Sequence, residues 1–139
     1  MTIGLKAMLD NTTVAAAAKD LCQTYMDGYE ALEVISLSTT DGFPVHNHSR
    51  GSVKFDVDTM AAAASTLYSV SNAVSKQILA KHFNITIIES QSGNIGFVAL
   101  SLGDKDFVLA ISASDEMNIG KLRVLINRLA DEIKKTTLT

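Results

Sequence analysis

Between Asn84 and Ala113 apolar residues come in short bursts bounded by Gly, Asn and Asp: NITIIESQ, SGN, IGFVALSL, GDK, DFVLAISA. That rhythm predicts three β-strands joined by two tight turns. Connections this short force antiparallel neighbours, so the three strands form a meander. Phe97–Leu102 and Phe107–Ala113 barely alternate. A strand with one wet face alternates, whereas a near-continuous apolar strand is covered on both faces. The meander therefore predicts helices on both sides of one sheet, supplied by the rest of the chain.

Upstream, Val14, Ala18, Leu21 and Tyr25 repeat at helical spacing, with Asn11 or Thr12 placed to cap the first turn and Gly28 to end the helix. Cys22 lies beside that face and reads as a small buried hydrophobe rather than a reactive thiol. The pattern leaves Thr2–Asp10 open between a helical turn and a mobile segment. Next come a strand over Ala31–Ser38, a Thr40-Asp41-Gly42 turn and a return strand over Phe43–His48. Pro44 removes a ladder donor, which makes the return strand an edge.

A long helix follows, capped by Asp56 or Asp58 and running to about His82. Met60, Ala64, Leu67, Ser71, Val74 and Ile78 share one face, and the stripe Leu67, Ser71, Val74, Ile78 is expected to meet the sheet. The opposite positions Ala62, Thr66, Ser69 and Ala73 are small and uncharged, and Lys76 is the sole charge from Thr59 to Ile78. A helix without a charged face is covered on more than one side; a solvated Ser/Ala helix is the other reading. The last helix, about Asn118–Lys135, has an ordinary amphipathic pattern: Ile119, Leu122, Ile126, Leu129 and Ile133 form its stripe, and charged residues cover the remainder.

Composition narrows the class. The 139 residues suit one domain with its own core, residues 1–11 being an N-terminal segment and 12–136 the domain. A single cysteine cannot pair internally, no run reaches the length of a membrane span, and the N-terminus lacks a signal-peptide pattern, so a cytoplasmic protein is expected. Twelve basic against 15 acidic residues give a net charge of −3, which argues against a nucleic-acid binder. No Walker, dinucleotide or nucleophile-elbow motif occurs. The carboxylate pairs Asp56/Asp58, Asp115/Glu116 and Asp131/Glu132 sit at helix starts or on a charged face, where capping and solvation account for them. No catalytic set, metal site or cofactor is expected. His46 and His48 share one strand face but lack the further ligands that zinc needs.

The order α-β-β-α-β-β-β-α can close into one five-stranded antiparallel sheet; with the first strand paired to the last its order is 2-1-5-4-3, with the long helix on one face and the first and last helices on the other: an α/β (α+β) single domain. With DGFPV after the first strand and SGNIGFVALSLGDKDFVLAISA near the end, this order resembles the roadblock / dynein light chain family over about Thr12–Lys135. The resemblance implies a small homodimeric protein, not an enzyme, that binds or regulates a small Ras-like GTPase or serves as an adaptor. A different class stays open: a small-molecule sensor or scaffold of longin or profilin-like layout, its pocket lined by Ser36, Ser38, Ser71 and Ser101. A weak hydrolase or transferase is a third.

The 2-1-5-4-3 order leaves the strand Asn84–Gln91 as an edge without Pro or Lys. Such an edge pairs with another chain. The expected dimer contact is Ile85, Ile87, Ile88 and Glu89 with Met60 and Ala64 of the long helix. The expected partner-binding stripe is Tyr68, Asn72, Ser75 and Leu79, with Tyr68 as anchor; these four completing the dimer contact is the alternative.

Overall fold

The computed structural model describes residues 10–51 and 53–138. The elements are α1 (Asn11–Gly28), β1 (Leu32–Thr39), β2 (Pro44–Ser49), α2 (Val57–Leu79), β3 (Ile85–Glu89), β4 (Gly93–Leu102), β5 (Lys105–Ser114) and α3 (Ile119–Leu138). They form one antiparallel sheet of order β2-β1-β5-β4-β3, the order expected when the first strand pairs with the last. Most of the N-terminal segment, residues 1–9, lies outside the described residues.

Helix starts follow local chemistry. Asp10, one residue before the expected cap, accepts from the Thr13 amide at 2.9 Å and from its hydroxyl at 3.0 Å. Asp56 caps α2 by accepting from the Thr59 amide at 2.9 Å, and Asn118 caps α3 by accepting from the Lys121 amide at 2.8 Å. α2 stops at Leu79, short of the expected His82, because Ala80 turns left-handed (φ 56°).

The main core lies between the sheet and the α1/α3 layer. Val14, Ala18, Cys22, Tyr25 and Met26 of α1 and Leu122, Leu125, Ile126, Leu129 and Ile133 of α3 are buried there against Ile35, Leu37, Val98, Leu100, Phe107, Leu109 and Ile111. β4 carries Gly96 beneath α3: a Cβ there would meet Ile126 Cδ1 at 3.6 Å and Leu122 Cδ2 and Ile85 Cδ1 at 3.8 Å, ordinary contact distances. Gly93 is sterically required, since a Cβ would lie 2.7 Å from the Ala113 carbonyl oxygen.

The other face is thinner. Ala64 of α2 packs on Phe97, Val108 and Ala110, with Met60, Leu67, Tyr68 and Ile95 half-buried around them. Ser36 and Ser38 of β1 are buried on this face, and small residues on both surfaces bring α2 close. β5 is covered on both sides, as expected. β4 is not: Ala99 and Ser101 are exposed on the α2 face, because the helix leaves that end of the strand open.

Candidate protein-interaction surface

α2 is rotated relative to the apolar stripe expected to meet the sheet. Ala61 and Ala64 are its buried residues, whereas Val74 and Ile78 are 51% and 75% exposed. Tyr68, Asn72 and Ser75 occupy the inward side instead. Tyr68 meets the Phe83 ring edge-on at 5.8 Å, the Asn72 side-chain oxygen lies 3.1 Å from His82 Nδ1, and the Ser75 hydroxyl donates to the Lys81 carbonyl at 2.8 Å. Three of the four residues of the expected partner stripe thus fasten the α2–β3 connection, and Leu79, at the end of α2, is 65% exposed. The physical reason is packing. The sheet beneath α2 presents Phe97 and Val108, and alanines and serines let the helix axis sit low over them, where branched chains would hold it off.

The rotation leaves Val70, Val74 and Ile78 along the flank of α2, with Val70 53% exposed. Ile88 of β3 is 46% exposed on the same side of the sheet. Between them runs an apolar groove of about 570 Å³, lined by Thr59, Ala62, Ala63, Thr66, Leu67, Val70, Ile88 and Phe97. β3 is a sheet edge, with Ile85, Ile87 and Glu89 facing the α1/α3 layer and Thr86 and Ile88 facing α2. Of the residues expected in a dimer contact, Ala64 is buried within the protomer and Met60 half-buried, while Ile88 and Glu89 are exposed. Sequence reasoning missed Val70 altogether. Following the apolar positions around the whole circumference of the helix, rather than along one stripe, would have found it.

The other singled-out residues have local roles. His46 and His48 face α1 from β2, opposite Leu37 and Ile35. Burial, then the neighbouring His48 and Lys19, holds the His46 imidazole below its ordinary pKa. Among the described residues no group of three His, Cys, Asp or Glu side chains lies close enough to share a metal. The four serines of the sensor reading do not converge: Ser36 and Ser38 are buried under α2, the Ser71 hydroxyl accepts from Thr86, and Ser101 donates to Asp106 at the end of β4. No described helix is long and apolar enough to cross a membrane.

Cys22 is fully buried in the main core, and burial pushes its thiol up to about 12. The thiol is therefore protonated at mildly alkaline pH and shielded. A disulfide-exchange reagent under those conditions is expected to label no thiol in the native protein and one in denaturant; rapid native labelling would contradict this packing.

The fold defined by this sheet and this helix order is that of the bacterial roadblock-type proteins. Among solved structures, the gliding protein MglB of Thermus thermophilus superposes with a TM-score of 0.73 at 12% identity, covering 89% of this chain and 90% of that one. A structure described as MglB with tetrameric arrangement gives 0.74 at 13% identity and covers 89% and 90%. A Roadblock/LC7 domain from Streptomyces avermitilis gives 0.65 at 22% identity, covering 78% and 88%. No protein-family model and no curated protein matches the sequence significantly.

Proposed function

We propose that the chain is a homodimeric roadblock-type adaptor that binds and regulates a small Ras-like GTPase in the cytoplasm, without an active site of its own. The observation that carries this reading is the uncovered apolar flank of α2, continuous with the unguarded β3 edge. Large apolar side chains left in one contiguous strip mark a protein contact. Like-edge pairing of β3 would join two sheets into one of about ten strands and lay the two α2 flanks over one another. Tetrameric association, which the description of one MglB structure states for that protein, fits a fold that pairs through its own surfaces.

Dimerisation on that flank leaves the outward side of α2 free. Ser69 and Ala73, outside the groove, are exposed there and carry no charge. Two such helices side by side make a flat platform of small residues, onto which a partner's backbone can settle closely. Tyr68, Asn72 and Ser75 hold the platform through the α2–β3 connection, and Leu79 ends their stripe.

The test uses a small Ras-like GTPase from the source organism, loaded with GDP or a non-hydrolysable GTP analogue. Ala73→Arg should leave the dimer intact and weaken GTPase binding by about 2 kcal/mol, a hot-spot loss. An unaffected affinity, or failure of every Ras-like GTPase of the organism to bind the wild type, would reject the reading.

A further inference from the structure

α3 carries Lys121, Arg123, Arg128, Lys134 and Lys135 against Asp131 and Glu132, in a chain whose net charge is −3. Several of these charges have partners. Lys121 lies 5.3 Å from the Tyr29 ring centroid, Lys135 pairs with Asp131 at 2.9 Å, and Glu132 accepts from the Tyr25 hydroxyl at 3.0 Å. Arg123 and Lys134 are exposed and have no hydrogen bond or ion pair among the described residues.

The placement of these two cations gives them a direction. Leu122 and Ile126 lie over Gly96 of β4, beside Ile85 of β3. Glu132 meets Tyr25 of α1 and Lys121 meets Tyr29 just after it, so α1 borders one flank of α3. By the helical period Arg123 and Lys134 fall on the opposite flank, towards the β3 edge. Ile85 and Ile87 of β3 face the same side of the sheet and are half-buried, and Glu89 follows them at the strand's end.

The geometry of the seam rests on the β3-paired dimer proposed above. Adjacent strands are ~4.8 Å apart, so β4 and its two-fold mate would stand about 14 Å apart. α3 packs on β4 and β5 rather than on β3, which sets the two α3 helices wider still. Packed helices sit about 8–10 Å apart, so these two would not close over the seam. A channel remains, floored by Ile85 and Ile87 of both copies and walled by Arg123 and Lys134 of both. We propose that this channel docks an acidic amphipathic segment of a partner protein, apolar side down and carboxylates against the walls. Charge complementarity selects the acidic segment. A flat bilayer could meet the walls but not the recessed apolar floor.

The probe is a fluorescein-labelled helical peptide of about five turns with Leu on one face and Glu elsewhere, compared with its Leu/Lys counterpart. Anisotropy titrations should show binding of the Glu peptide only. Arg123→Glu with Lys134→Glu should weaken it about tenfold or more at unchanged dimer mass, while Arg128→Glu, on the α1 flank, changes it by less than about twofold. Equal losses in both variants, retained binding in the double variant, or stronger binding to phosphatidylserine vesicles than to the Glu peptide would overturn the inference. A wild-type monomer in light scattering would remove the dimer reading and this channel together. A dimer that does not discriminate the peptides would remove the channel alone.

Discussion

Arg50→Ala is expected to destabilise the protein by about 2–3 kcal/mol, lowering its thermal midpoint by roughly 8–10 °C. Arg50 follows β2, yet its guanidinium serves α1. Nη2 donates to the Met26 carbonyl at 2.8 Å and the Tyr29 carbonyl at 2.9 Å, and Nε donates to the Leu32 carbonyl at 2.8 Å. α1 has no basic residue in its last turn, so Arg50 also supplies the cation at the negative end of that helix. The site is half-buried, so water recovers part of what truncation loses, and the three bonds do not simply add. Arg50→Lys should restore only a fraction, because an ammonium cannot reproduce the planar fork. Thermal unfolding followed by circular dichroism decides it: a midpoint within about 2 °C of wild type for Arg50→Ala would show that these bonds contribute little.

Ile88→Lys is expected to convert the protein from a species of twice 14.9 kDa to one of 14.9 kDa in light scattering at micromolar concentration. Ile88 stands at the junction of the β3 edge and the apolar groove under α2. Two-fold symmetry places the substitution twice in one interface, so each lysine must be desolvated beside Val70 and Val74 or the surfaces must part. A stable interface of this sort buries on the order of 1,600 Å². Losing its centre on both sides should raise the dissociation constant by about a hundredfold or more. Because Ile88 is already 46% exposed in the protomer, the monomer itself should keep its fold. Val74→Glu, which touches the helix flank alone, should act in the same direction. A monomeric wild type would end the dimer reading, and an Ile88→Lys protein that stays dimeric would move the contact elsewhere.

Most of the architecture was legible in the order of residues, because each element is set by a local rule. Period-two and near-continuous apolar runs define the strands, Asp-Gly and Gly-Asp mark turns, Pro44 places β2 at an edge, and the pairing of β1 with β5 leaves β3 at the other. Cys22 as a packing residue follows from its neighbours at helical spacing. The rotation of α2 was decided only by tertiary structure. Hydrophobicity ranks Val74 and Ile78 as the inward residues, but α2 is seated further along by Ala64 on Phe97 and Val108, where close packing favours small side chains. Arg50 was equally hidden: its partners lie 18 to 24 residues away, and nothing near it in sequence marks it as a cap. Local pattern fixes which segments are helix or strand. Which side of a helix without a charged face turns inward depends on the volume of what it lands on, and that volume exists only once the sheet has formed.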